Sequence, residues 1–527
     1  MDARTGGGRG APSPQKGGPP GGGPPGGFHG RRGGPDLTTG PIGKTLILFA
    51  LPVLGSNVLQ SLNGSANAIW VSHVLGEAAL TATSNANQIM FLMLGAVFGL
   101  SMASNIMIGQ AMGAGDQALA KRVIGTSTAF FIVVSLSVGA LGAALTPHIL
   151  SAMGTPPDAK RDAIAYLRVI FSAMPFMYFF SYVMMAQRGT GDSRTPFYFS
   201  LLAVGLDITL NPLLIMGIGP FPKLGIAGSA TSTLVSQTIT LLAMIVHLYR
   251  KRSILVLRPG EFRLLIPDLT IVRSLVMKGL PMGFQMMVTS LAAVTMMSLV
   301  NQYGVHTSAA YGAAAQLWTY VQMPAMALGA AVSSMAAQNV GAGKMDRVER
   351  IARSGVLFAF LFTAVPVVLI ELLDPWVLRA FLPATSPSLA IAVHINSIVL
   401  WGFIAFGMAF IFSGIVRATG AVWPPLLAMI VSLWGVRIPF ANILEPHIGQ
   451  DAVWFAFPVG SVTTLLLAGG YYLWGGWRKA RMLPTTMPAT DEADTGFGQP
   501  VMEGAEAIAD AARKVEEATP EDEPAKA

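Results

Sequence analysis

The sequence predicts an all-α polytopic membrane protein with twelve transmembrane helices in two six-helix repeats. Three observations carry this prediction. The 527-residue chain is 52% hydrophobic and only 12% charged, with a mean hydropathy of +0.56, too apolar for a soluble globular protein. Twelve apolar segments are each long enough to cross a bilayer, the chain's immediate partner. Three motifs of the first half also recur in the second at one spacing. The absence of cysteine excludes a disulfide framework and cysteine-based metal, redox or nucleophilic sites. The net charge of +7 comes from basic residues scattered in short loops, a signature of membrane topology and not of nucleic-acid binding.

In chain order, residues 1–40 are rich in Gly and Pro and are expected to form a disordered cytoplasmic tail, with no cleavable signal peptide before the first span. The apolar segments follow at 43–71, 82–110, 122–148, 163–187, 196–219, 225–249, 271–301, 308–338, 352–374, 387–415, 423–446 and 452–477. All should be helical, because an open strand cannot satisfy its backbone in lipid. Basic residues gather in alternate connections, including Lys121, Arg122, Arg188, Arg194, Arg250–Lys278, Lys344–Arg353, Arg417 and Arg478. The opposite connections hold only Lys160, Arg161, Arg168, Lys223 and Arg379. By the positive-inside rule both termini are cytoplasmic. The expected division is a first lobe over 41–249 with helices one to six, a basic linker over 250–270, a second lobe over 271–481, and an acidic disordered tail over 482–527. A short helix at Glu503–Glu517 is expected within that tail.

The repeat supports this division. LFALPVLGSNVLQSL around Pro52 recurs as VMKGLPMGFQMMVTSL around Pro281, IGQAMGAGDQALAKRV as AAQNVGAGKMDRVERI, and QRGTGDSRTP as VRATGAVWPP, all 228–229 residues apart. Six spans per repeat is even, so the halves share one orientation about an axis along the membrane normal. Pro52 and Pro281 are the expected helix kinks.

Chemistry is expected first at Asp207. It is the one acid placed deep in an apolar span, roughly 16 Å from Pro196 at about 1.5 Å per residue. An acid there is costly, so by default it marks an ion or proton pathway. Asn211 lies one turn later on the same face. In span one, Ser56, Gln60, Asn63 and Asn67 recur at helical spacing and are expected to line a cavity. Gln88 of span two is assigned to the same wall. At matched positions of the second half stand Gln285 and Thr289, and Met286, Met296, Trp318 and Tyr320 offer adaptable apolar and aromatic faces. Such residues also fill membrane cores, and both readings stand here. No HExxH pair or Walker sequence occurs, so neither an enzyme nor a bound cofactor is expected.

Together the LP of spans one and seven, GQAMGAG and AQNVGAG, GTGD, NPLLI, GIAGSATST and VRIP resemble the multidrug and toxic compound extrusion (MATE) family over residues 40–480. The closest likeness is to its prokaryotic DinF-like branch. That branch carries an Asp in span one and an Asn-x-x-x-Asp pair in span five. Here the first position is Asn67 and the pair is reversed as Asp207-x-x-x-Asn211, while Thr233 of span six matches. The resemblance implies an ion-coupled antiporter, and a monomer in the cell inner membrane is expected. It would export amphipathic, cationic organic compounds by alternating access in exchange for H⁺ or Na⁺. The branch's two acids are reduced here to one displaced by a turn, so the ion site is read from the residues themselves: Asp207 is expected to be the sole coupling carboxylate, aided by Asn211, Asn67 and Thr233, with Na⁺, if it is the ion, at Asp207, Asn67 and Asn211. The alternatives are a lipid-linked saccharide flippase, for which Arg437 is the clear cation within a span, and a membrane-embedded enzyme.

Overall fold

A computed structural model describes residues 35–75, 77–152, 157–383 and 385–482. Most of both tails, the helix expected at Glu503–Glu517 and the side chain of Gln88 lie outside the described residues. The first half holds α1 (Ile42–Leu75), α2 (Glu77–Gly113), α3 (Gln117–Ala152), α4 (Pro157–Gly189), α5 (Arg194–Met216) and α6 (Ile226–Arg250). The second holds α7 (Leu269–Asn301), α8 (Val305–Gly341), α9 (Met345–Leu378), α10 (Pro387–Val399), α11 (Gly402–Thr419), α12 (Trp423–Ile430), α13 (Ile438–Ile448) and α14 (Asp451–Trp474). Among the described residues the regular structure is all helical, and eleven helical segments are long and apolar enough to cross a membrane.

Two expected segments are interrupted. Segment 387–415 divides at Leu400–Trp401 into α10 and α11, where a Cβ on Gly402 would sit 2.9 Å from the Pro458 Cα, so α14 approaches the break closely. Between α12 and α13, Val431–Arg437 is π-helical. Pro439 lies just beyond it and has no N–H to give the preceding turn, and the backbone widens there. In contrast, α1 and α7 continue as helix through Pro52 and Pro281.

The start of α5 has a local cause. Asp192 accepts from the backbone N–H groups of Arg194 and Thr195 at 3.1 and 3.0 Å, satisfying donors that the first turn of α5 leaves free. The linker is tied to α3 by Lys121–Glu261 at 2.6 Å and Arg122–Asp268 at 2.7 Å. Within the stretch 1–40, Leu37 donates its N–H to Gln338 at 3.2 Å and accepts from Asn339 at 3.1 Å.

The halves meet most closely at the end that carries the basic connections. Asn105 donates to Ser334, its counterpart 229 residues away, at 3.3 Å. Gln110 donates to the Ala418 carbonyl at 2.7 Å, and Gln338 to the Gly189 carbonyl at 2.9 Å. Repeat-related residues touch each other there, as they must beside a two-fold axis. Gly113 and Gly341 permit the approach: a Cβ on the first would overlap the Gln338 carbonyl oxygen, and a Cβ on the second that of Gln110.

Candidate functional site

Asp207 is 4% exposed and sits among α1, α5 and α6. Asn63 donates to Oδ2 at 2.8 Å, Ser232 to Oδ1 at 2.6 Å and to the Asp207 carbonyl at 3.0 Å, and Thr233 reaches both carboxylate oxygens at 3.4 Å. All three side chains act as donors, the arrangement a buried carboxylate requires. One turn along, Asn67 Oδ1 accepts from Asn211 at 2.8 Å and Ser229 at 2.5 Å, and the buried Tyr166 of α4 adjoins Asn67. Both α1–α5 pairs are separated by 144 residues. The two helices run parallel and in register, with polar rungs one turn apart.

The structure therefore brings Asp207, Asn211, Asn67, Thr233 and Asn63 into one network. Ser232, Ser229 and Tyr166 were missed by sequence reasoning, because isolated serines and tyrosines are common in membrane helices and only tertiary contact distinguishes these three. Oxygen ligands for a hard cation are present in the Asp207 carboxylate, Asn67 Oδ1 and the buried, unpartnered Asn211 Oδ1. A proton needs only the carboxylate.

A second feature is a chamber of about 210 Å³ between the halves. Val53 and Asn57 of α1, Phe98 and Met102 of α2, and Met185 and Arg188 of α4 face Met282, Gln285, Met286, Thr289 and Ser290 of α7 across it. Gln322, Met326 and Ala330 of α8, Phe406, Phe410 and Arg417 of α11, and Met429 of α12 complete the wall. Of the expected cavity residues, Gln285, Met286 and Thr289 line this chamber. Ser56 does not: it is fully buried and donates to the Pro52 carbonyl at 3.0 Å. Gln60 is exposed elsewhere along α1 and Tyr320 lies outside the lining.

Met296 and Trp318 are also placed away from the chamber, in the second apolar core. The Trp318 indole donates to Asn396 at 2.8 Å, and Asn396 donates to Asp374 at 2.7 Å. Asp374, 2% exposed, is thus a second buried carboxylate, which the sequence places only at a span end. Depth and burial differ, because tertiary packing can bury the last turn of a helix. Arg437 stacks on Phe457, 3.3 Å from the ring centroid, apart from the chamber.

The family model MatE matches residues 52–213 and 281–443, one copy in each half. The chain belongs to the MatE family. It is 36% identical over 441 residues to "Probable multidrug resistance protein YoeA" of Bacillus subtilis, covering 83% of this chain and 95% of that protein. It is 25% identical over 453 residues to "FAD transporter" of Shewanella oneidensis, covering 83% and 95%. A solved structure described as "Crystal structure of MATE in the straight conformation" superposes with a TM-score of 0.76 at 22% identity, over 84% of this chain and 97% of that one. This MatE chain is accordingly a multi-pass membrane transporter and not an enzyme.

Proposed function

We propose that this MatE protein is a secondary active antiporter of the cell inner membrane. It exports amphipathic organic compounds in exchange for H⁺ or Na⁺, with both termini cytoplasmic and Asp207 as the coupling carboxylate. The observation that carries the proposal is the position of α1. One helix supplies Asn63 to Asp207 and, two to three turns away, Val53 and Asn57 to the chamber.

Protonation would put a hydrogen on one carboxylate oxygen and remove an acceptor now used by Asn63 or Ser232. Cation binding would instead draw the carboxylate and Asn67 oxygens toward the ion. Either event changes the bonds that hold α1 to α5 and α6, and α1 also packs on α8 of the other half. Only such a difference in affinity between two states can link ion and cargo fluxes. With the basic end cytoplasmic, the contacts of Asn105, Gln110 and Gln338 would close the cytoplasmic side, and release from the chamber would be outward.

The names of the relatives span multidrug resistance and FAD, so the class of cargo is argued from the chamber. Its methionines and phenylalanines suit an apolar body. The cationic cargo expected from the family resemblance finds no carboxylate among the lining residues. Proteoliposomes of the full chain loaded with a fluorescent cargo test the proposal: efflux should accelerate under an imposed inward H⁺ or Na⁺ gradient. Efflux indifferent to both gradients would contradict it.

A further inference from the structure

Arg188 and Arg417 stand at matched positions of the repeat, each just before the end of its helix, α4 or α11. Both line the chamber, at 5% and 7% exposure. Elsewhere Lys121, Arg122, Lys251 and Arg478 are each paired with a carboxylate. Among the described residues neither chamber arginine has such a partner. Arg417 donates to Gln285 Oε1 at 2.9 Å and lies 5.3 Å from the Phe410 ring centroid. The hydrogen bond recorded for Arg188 goes to the Met185 sulfur at 3.7 Å. Three donor atoms, Nε of each arginine and Nε2 of Gln285, are buried without an acceptor.

Removing a charge from water costs several kcal/mol unless an opposite charge or full hydrogen bonding offsets it. The carbonyl ends of α4 and α11 favour a cation only modestly, which falls short of that cost. A planar guanidinium is shaped for two parallel bonds to a carboxylate or phosphate.

The geometry points to an anion-recognition pair: Arg188 and Arg417 seat a carboxylate or phosphate group of the cargo, while the methionines and phenylalanines of the chamber hold its apolar body. This rests on the chamber being the cargo site. Gln285, bonded to Arg417 through Oε1, keeps an unpaired, buried Nε2 beside the pair. A purely cationic cargo would meet two like charges and no acid in the same space.

The test uses two dyes with a common xanthene body, fluorescein, a dianion at pH 8, and rhodamine 6G, a cation. Their binding to the full-length protein in phosphatidylcholine nanodiscs is read by fluorescence anisotropy. Fluorescein should bind at least about tenfold more tightly than rhodamine 6G. Arg188→Gln and Arg417→Gln should each weaken fluorescein by about tenfold or more without weakening rhodamine 6G, and the Lys variants should retain part of the affinity. A wild-type preference for rhodamine 6G would overturn the inference even if no variant folds, as would equal loss of both dyes in the Gln variants. The double variant Met286→Trp with Met429→Trp, which narrows the chamber from two walls, separates the two levels. If it blocks both dyes while the charge variants do not discriminate, only the anion site fails; if it blocks neither, the chamber reading fails with it. Adding phosphatidylglycerol to the discs identifies the natural source. Competition with fluorescein assigns the anion site to a lipid headgroup, and undiminished binding assigns it to a soluble organic anion.

Discussion

Asn63 on α1 donates a 2.8 Å hydrogen bond to the carboxylate of Asp207 on α5. The helix that carries this donor also supplies Val53 and Asn57 to the chamber between the halves. A change at the carboxylate is therefore one helix away from the cargo space, without any longer relay.

Ser232 makes the shortest bond to that carboxylate, at 2.6 Å. Ser232→Ala leaves Oδ1 with only the 3.4 Å contact to Thr233, and loss of a hydrogen bond to a charged group costs about 1.5–3 kcal/mol. Thermal melts in detergent should show a lowered Tm. Thr209→Ala is the control, since Thr209 is exposed and bonds only its own helix at Gly205; it should stay within about 0.5 kcal/mol of wild type. Indistinguishable melts for the two variants would refute the assignment.

The second rung makes a parallel case. Asn67 accepts from both Asn211 and Ser229, so Asn67→Ala strands two buried donors at about 1–3 kcal/mol each. A Tm drop at least as large as that of Ser232→Ala is expected, with slower ion-driven efflux. Unchanged stability and efflux would mean the rung does not hold α1 in register with α5.

At the basic end, Gly113→Ala and Gly341→Ala place a methyl group against a backbone carbonyl, which cannot rotate away. Both substitutions should push the halves apart there. The chain has no cysteine, so Ala337→Cys, fully buried in this state, gives a clean reporter. Its labelling by a membrane-impermeant maleimide in inside-out vesicles should rise by about fivefold or more, the effect of roughly 1 kcal/mol. Unaltered labelling would count against Gly113 and Gly341 as the closure points.

Asp192 begins the helix that carries Asp207. Burial pushes its carboxyl up, but the Thr195 N–H and hydroxyl and the Lys251 ammonium outweigh burial and hold it below its ordinary value of 3.8. A depressed folded value means that the stabilisation is complete above 3.8 and is lost as pH falls through the lower folded value. Asp192→Ala should cost about 1 kcal/mol near pH 7, read as a lower Tm, and the gap to wild type should close in acid. A gap that widens in acid would reverse this sign.

Much of this was legible in the sequence, and the exceptions share a cause. The apolar spans, the repeat and Asp207 are visible because each is a contrast along the chain itself: apolar against polar, a motif against its copy, or one acid in an apolar run. The partners Ser232, Ser229 and Tyr166 come from other helices, and no spacing along the chain reports them. Ser56 fitted a polar stripe on α1, but its hydroxyl turns back to Pro52, a local satisfaction that periodicity cannot separate from a cavity wall. Arg188 and Arg417 lie within one turn of their helix ends and read as topology charges, although the repeat spacing pairs them. The break at Leu400–Trp401 and the π turn before Pro439 depend on tertiary approach and backbone bonding, which hydropathy does not record.

Coupling of ion to cargo by Asp207 is the central claim, and it is tested most directly by cargo-driven ion movement. Proteoliposomes containing the full-length wild-type protein or Asp207→Asn receive an outward gradient of whichever xanthene dye is carried, with a pH-sensitive or Na⁺-sensitive reporter in the opposite compartment. Asp207→Asn removes the titratable charge with nearly unchanged shape, and one charge crossing 100 mV represents about 2.3 kcal/mol of driving force. Ion movement is expected in wild type and its loss in Asp207→Asn, with dye binding retained. Ion movement of wild-type magnitude in Asp207→Asn would contradict the claim.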